Sequence, residues 1–284
     1  MMRRKAVFLV LDLVLSVANR SIKRAPLDDS FLDEHSKAID KSKEAVEHCL
    51  IKKYIARNST VLEIGARFGT SSCAITWHLD QEASSWQTVS VEADPAIWEA
   101  IERNLNHNKC RSHLIKGVLS STPMLRSAEM AGSAWTTKFH PVARDFVANT
   151  NTTASLSPAH TPAELSERYR LRFDTLVVDC EGCFEGILHE FTPFVASLHT
   201  VILEADYGIG MQALGYVDYS ALTMRMLGLG FVIAEQFLHP CCNWPHTTPM
   251  IVFTKPPLPI WRPVALCQLA HTSSHRKGHG TSGK

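Results

Sequence analysis

Apolar residues recur at a spacing of three to four from Ala38 to Ile55, through Ala38, Ile39, Ala45, Val46, Cys49, Leu50, Tyr54 and Ile55. That period predicts a helix laying one face on a core. The pattern then shortens. Thr60-Val61-Leu62-Glu63-Ile64 is an apolar run with a β-branched start, closed by Gly65, and reads as a strand ending in a tight turn. Thr70 to Leu79 predicts a helix, and Thr88 to Val91 a second strand. Asp94-Pro95 then supplies an N-cap with proline at the first helical position. Ile97, Ala100, Ile101 and Leu105 form the buried stripe of that helix, and His113-Leu114-Ile115 is a third, weaker strand.

Between Ser120 and Pro162 the pattern dissolves into Ser, Thr, Pro and Asn. It returns with a strand from Phe173 to Val178 closing on Asp179, a helix from Glu185 to Phe191, and a strand from Thr200 to Leu203 ending in Glu204. A helix over Tyr219 to Leu227 stops at Gly228 and Gly230, and strands follow at Phe231 to Ala234 and Met250 to Phe253. Alternating strands and helices imply an α/β domain with a mainly parallel sheet covered on both faces. The expected organisation is one domain over residues 30–255, interrupted by an irregular insertion at 120–165, with a proline-rich strap and disordered tail over 256–284.

Charge and cysteine content narrow the partners. In 284 residues, 29 Lys plus Arg face 28 Asp plus Glu, a formal charge of +1. This removes the footprint of a protein that binds nucleic acid through many phosphates, and no nucleic-acid partner is expected. Eight cysteines are an even number but too few for a disulfide scaffold. At the N-terminus, Arg3, Arg4 and Lys5 precede the apolar run Ala6 to Val17, and Ser16-Val17-Ala18 resembles a small-residue cleavage site. Residues 1–20 thus have the layout of a secretory signal or N-terminal anchor. Asp12 interrupts the run, which is shorter than the roughly 20 residues of a membrane span. The competing reading is an amphipathic helix on a cytoplasmic protein, so membrane contact is expected only through this segment.

Three strand ends carry the chemistry. Glu63-Ile64-Gly65-Ala66-Arg67-Phe68-Gly69 follows the first strand. Glycines there let the backbone turn sharply, and the following helix offers its positive N-terminus. A dinucleotide fold wants Gly-x-Gly-x-x-Gly, but Arg67 occupies the second glycine position. NAD and FAD are therefore disfavoured. Glycines four apart behind a carboxylate suit a zwitterionic sulfonium such as S-adenosylmethionine: Glu63 holds the ammonium side, and backbone amides around Gly65, Ala66 and Gly69 meet the carboxylate. Glu92, with Ala93 beside it, ends the second strand 27 positions after Gly65, where an acid accepts two ribose hydroxyls. The third feature, Val178-Asp179-Cys180-Glu181-Gly182, delivers two carboxylates to the crevice where open α/β sheets bind ligands.

Together these motifs resemble the FkbM-type family of S-adenosylmethionine-dependent methyltransferases. The likeness covers roughly Asn58 to Thr254, and Cys180 stands where the family's Asp-Val-Glu-Gly signature has valine. The resemblance implies a class I methyltransferase (Rossmann-like) fold, with a seven-stranded mainly parallel sheet and helices on both faces. It also implies S-adenosyl-L-methionine as cofactor and O-methylation of a hydroxyl on a small molecule or glycan. Asp179 and Glu181 are the catalytic candidates, as base, as joint holders of a divalent metal that lowers the hydroxyl's pKa, or as helix-capping substrate contacts, and Glu204 is a third acid facing the same crevice. Two departures matter: Lys116-Gly117-Val118 stands where an adenine-contacting acid is usual, and Arg67 lies inside the loop. They leave a non-catalytic binding protein of the same fold as the rival reading. Cys180 of Cys180-x-x-Cys183 is expected to fill an apolar slot, with oxidation of the pair as the alternative in a secretory compartment. No metal site is expected at His239, Cys241, Cys242 and His246, where Trp244 instead offers a flat face to an acceptor.

Overall fold

The computed structural model describes residues 30–40, 44–79, 86–126, 139–141, 156–205, 217–239 and 248–256. The basic and apolar N-terminal segment, the Trp244 loop and the tail lie outside them. Seven strands form the main sheet: β1 (Val61–Ile64), β2 (Thr88–Glu92), β3 (Ser112–Lys116), β9 (Thr175–Val178), β10 (Thr200–Glu204), β11 (Val232–His239) and β12 (Thr248–Thr254). Their spatial order is β11-β12-β10-β9-β1-β2-β3. Neighbours from β10 to β3 run parallel, while β12 runs antiparallel to both β10 and β11. Chain order reverses at β1, which has β2 on one side and β9 on the other. That reversal opens a crevice at the carboxyl ends of the two strands, the place where such sheets receive ligands.

The helices are α1 (Ala45–Tyr54), α2 (Thr70–His78), α3 (Trp98–His107), α4 (Pro162–Tyr169), α5 (Phe184–Glu190), α6 (Thr192–Ser197) and α7 (Tyr219–Gly228). Side chains alternate between the two faces of a strand, and the strands obey this closely. Leu62, Ile64, Val89, Val91, Leu176, Val178, Val201 and Leu203 pack with Phe184, Leu188, Val195, Leu222 and Met226 of α5, α6 and α7. Val61, Val177, Ile202 and Val252 pack instead with Val46, Leu50, Ile51 and Ile75 of α1 and α2. Burying both faces is what makes these strands read as continuous apolar runs.

Several expectations shift. The first helix begins at Ala45, and Ala38 instead forms a bridge with Leu32. Asp94 is not the N-cap of α3. Its carboxylate accepts the Ala96 amide and its carbonyl the Ile97 amide, closing a separate turn before the helix starts at Trp98. The insertion is less irregular than its composition suggests. β4 (Val118–Leu119) pairs with β8 (Ala159–His160), and β5 (Met124–Arg126) lies between β6 (Phe139–Pro141) and β7 (Leu156–Ser157). At its end stands α4, whose start carries a full capping box between Thr161 and Glu164 with Pro162 at the first position. Thr-Pro-Ala-Glu was legible as that signal.

Cys180 packs against the main core cluster as expected, but in its oxidised form. It is disulfide-bonded to Cys183 across a Cα separation of 5.5 Å, because Glu181 and Gly182 both take positive φ and fold the chain back. A second disulfide joins Cys73 of α2 to Cys110 before β3, and Cys49 is also disulfide-bonded. Among the described residues, no helix is long and apolar enough to cross a membrane.

Candidate functional site

Parity along the strands places the acids. Glu63 shares its face with Val61, Asp179 follows Val177 by two, and Glu204 follows Ile202 by two; all three lie on the α1–α2 side. On β2 the Ser90 hydroxyl reaches Glu63, so Ser90 and Glu92 share that side too. The register aligns Ile64 with Val91 and with Val178, and Val178 with Leu203. Glu92, Asp179 and Glu204 therefore form one level row at the carboxyl edge, and Glu63 lies one pleat deeper. No composition rule would have produced this row.

Glu63 is 1% exposed. Its Oε2 accepts hydrogen bonds from Ser72 Oγ and Ser90 Oγ, each at 2.5 Å, while Oε1 is buried without a partner. Burial pushes this carboxyl up to about 7, against the two hydroxyls that favour its charged form. Glu92 is 6% exposed and is likewise pushed up to about 7 by burial, opposed by the amides it accepts. Its Oε2 accepts the Arg67 amide at 2.6 Å and its Oε1 the Asp94 amide at 2.7 Å. A carboxylate offers about four acceptor positions, so each oxygen retains capacity for another donor.

The glycine loop is tied down by its own amides. Gly65 and Ala66 both donate to the Val91 carbonyl, and Gly69 donates to the Ala66 carbonyl. These three amide donors are engaged within the protein. The amides with no intrahelical acceptor are instead those of the first turn of α2, from Thr70 to Ser72. Gly65 has a further duty. At φ +86° a Cβ here would lie 1.6 Å from the Asp179 carbonyl oxygen, so only glycine lets β1 and β9 close at this point. Gly69, also at positive φ, packs against Leu105 of α3.

Asp179 is half-buried beside Glu204. Burial, then the negative charge of Glu44, pushes it up to about 6, while Glu204 and Arg67 act in the opposite sense. Glu181 stands at the positive-φ turn leading to α5. The Ala93 carbonyl accepts the Ser157 hydroxyl from the insertion. Gly117, where an adenine contact is expected, donates to the Glu92 carbonyl at 2.8 Å. The structure thus brings Glu63, Gly65, Ala66, Glu92, Asp179 and Glu204 to one sheet edge.

Sequence reasoning missed Glu47. It is 6% exposed, and its Oε2 accepts Ser71 Oγ at 2.5 Å. Burial, then the charge of Asp179, raises its carboxyl well above the ordinary range. The available signal was a charged residue in the core-facing stripe of α1, which runs through Glu47, Leu50, Ile51 and Tyr54.

No family model matches the chain, and no curated protein matches it. Among solved structures it is similar to TomG of Streptomyces achromogenes, an O-methyltransferase of tomaymycin synthesis in complex with SAM. The identity is 12% over 78% of this chain and 82% of that chain, with a TM-score of 0.41. Cofactor-bound Rv0187 from MTB matches at 14% identity over 76% and 81% of the two chains, with a TM-score of 0.41. Sp1610 of Streptococcus pneumoniae, a candidate tRNA (m1A22) methyltransferase in complex with S-adenosyl-L-methionine, matches at 10% over 74% and 72%, with a TM-score of 0.39. Likeness at this level assigns neither reaction nor acceptor to this chain, and the FkbM-type resemblance rests on its three motifs.

Proposed function

We propose that this protein is an S-adenosylmethionine-dependent methyltransferase acting on a hydroxyl of a small molecule or glycan. The observation that carries the reading is the row Glu92, Asp179 and Glu204 above Glu63, at the switch point of a doubly wound sheet. Buried carboxylates crowded together are costly unless a cation joins them. A sulfonium amino acid brings two positive centres, and the unpartnered Oε1 of Glu63 fits an ammonium donor. Glu92, with spare acceptor capacity on both oxygens, suits a ribose diol. The first-turn amides of α2 suit the aminoacyl carboxylate. When bound, the cofactor supplies an electrophilic methyl group.

The acceptor hydroxyl must approach in line with that methyl and lose a proton as it reacts. Asp179, raised to about 6, is largely ionised at neutral pH and serves as the base, with Glu204 beside it at the same edge. Glu181 completes the acceptor side. Calorimetry with S-adenosylhomocysteine tests the cofactor, and methyl transfer from labelled S-adenosylmethionine to a panel of hydroxyl acceptors tests the reaction. Cofactor binding without any transfer would favour a non-catalytic binding protein; absent binding would sink both readings. Transfer to RNA in place of small acceptors would overturn the acceptor class.

For location, the secretory reading of residues 1–20 gains support from the disulfides at Cys73–Cys110 and Cys180–Cys183, since such bonds persist in oxidising compartments. Mass spectrometry of the mature N-terminus is the direct check. An intact start with reduced cysteines would return the protein to the cytoplasm.

A further inference from the structure

α1 contributes more than an apolar cover to the crevice. Its core-facing stripe contains Glu47, buried to 6% exposure, where a leucine would pack without electrostatic cost. The carboxylate points at the first turn of α2, since its Oε2 accepts Ser71 Oγ at 2.5 Å. One residue on, Ser72 Oγ donates to Glu63 at 2.5 Å. Two buried acids, one from a helix and one from the sheet, therefore grip adjacent serines of a single turn. That turn follows the glycine loop and carries the amides assigned above to the aminoacyl carboxylate.

A second, separate observation points to a cation at this place. Glu63 Oε1, in a residue only 1% exposed, has no hydrogen-bond partner. Glu47 and Glu63 are tied to adjacent serines of one turn, and Glu63 and Asp179 both act electrostatically on Glu47, so the three acids are near neighbours. Each is less costly to bury once a cation enters.

We infer that Glu47, held by Ser71, is a further cofactor-binding residue, whose carboxylate receives the ammonium of the aminoacyl end of S-adenosylmethionine. This assignment rests on the methyltransferase reading and deepens it. It makes α1 part of the site, so cofactor binding fixes the helix that precedes β1 against the helix that follows it. The ligand chemistry is specific to one end of the cofactor: the adenosine moiety has no part in the contact.

The test compares two ligands in calorimetric competition, carried to millimolar concentration. S-adenosylhomocysteine has the aminoacyl end, and 5′-methylthioadenosine lacks it while keeping the adenosine and sulfur. Glu47→Gln keeps the size of the side chain and removes its charge. It is expected to weaken S-adenosylhomocysteine by about tenfold to a hundredfold, the range for losing a hydrogen bond to a charged group. The affinity for 5′-methylthioadenosine should stay within about twofold, and the melting temperature of the free protein should not fall. Equal weakening of both ligands would mean that Glu47 only packs α1, and an unchanged S-adenosylhomocysteine affinity would mean that it faces no ligand; either overturns the inference. If the wild type binds S-adenosylhomocysteine but no measurable 5′-methylthioadenosine, the isosteric variant is judged on the first ligand and its melting temperature alone. Should Glu47→Gln fail to fold, Ser71→Ala loosens the same carboxylate, and the same selective loss, smaller in size, is expected of it. A wild type that binds neither ligand fails at the methyltransferase reading itself.

Discussion

At the amino ends of β1, β9 and β10, a single acid sits among backbone bonds. Asp174 accepts the Thr60 amide at 3.3 Å and the Thr175 hydroxyl at 2.7 Å, its own amide donates to the Thr60 carbonyl, and its carbonyl accepts the His199 and Thr200 amides. At the carboxyl edge, Glu92 of β2 and Asp179 after β9 lie in the level row with Glu63 of β1 one pleat deeper, and burial raises all three carboxyls. One end is stitched shut by main chain; the other keeps acids in a low-dielectric pocket with acceptor capacity to spare. The difference separates a residue that stabilises the sheet from residues whose arrangement makes physical sense with a cation present.

The largest effect is expected at Gly65, where the two strands close on each other. Gly65→Ala puts a methyl into the Asp179 carbonyl and should cost at least about 3 kcal/mol, read from the urea midpoint. A variant within about 1 kcal/mol of the wild type would mean that the strands separate more easily than the geometry implies. Next comes Asp179→Asn. It should lower kcat by about a hundredfold to ten-thousandfold while leaving S-adenosylhomocysteine affinity within a few-fold. An equal loss of affinity would place Asp179 on the cofactor instead of the acceptor.

Glu92→Gln should weaken S-adenosylhomocysteine by about tenfold to a hundredfold, because one of its two amides loses its acceptor and the ribose loses a charged partner. Tight binding by that variant would remove Glu92 from the cofactor site. The pH dependence follows from the same burial. Glu63 and Glu92 are raised from 4.5 to about 7, and Asp179 from 3.8 to about 6. Between those values these three carboxyls bind more protons in the folded state than in the unfolded chain, so their contribution to the stability of the free protein falls as pH rises from about 4 to 7. Affinity for S-adenosylmethionine should rise over the same window as the acids ionise, with proton release visible in calorimetry in buffers of different ionisation enthalpy. Carboxyl titrations at about 4 for all three acids, followed by NMR of the free protein, would contradict the burial of these groups. The smallest effect belongs to the other end: Asp174→Asn should cost no more than about 1 kcal/mol and leave binding untouched.

Much of this architecture was legible as a one-dimensional pattern. Runs such as Val61 to Ile64 and Thr175 to Val178 carry apolar residues on both faces, with Glu63 and Thr175 as the exceptions, which marks parallel strands covered twice. Gly65 announced a turn, and Glu92 and Asp179 stood at strand ends. Less legible were the small sheets of the insertion, whose two- and three-residue strands are too short for any period to register. The Cys180–Cys183 pair was legible only as an alternative: a spacing of three is equally compatible with a helical turn that keeps the thiols free, and the two positive-φ residues that fold the chain back there belong to the structure.

The sequence alone determined the order of strands and helices, and therefore the sheet edge to which a glycine loop and two acidic strand ends belong, because side-chain period and turn chemistry act locally. Only the tertiary structure decided which acids share a volume. Glu47 joins Glu63 and Asp179 through the packing of α1 on α2, and the loop amides turn inward to Val91 and Ala66 instead of outward. Electrostatic coupling depends on distance through space, and residues 47 and 179 are neighbours only after the chain has folded.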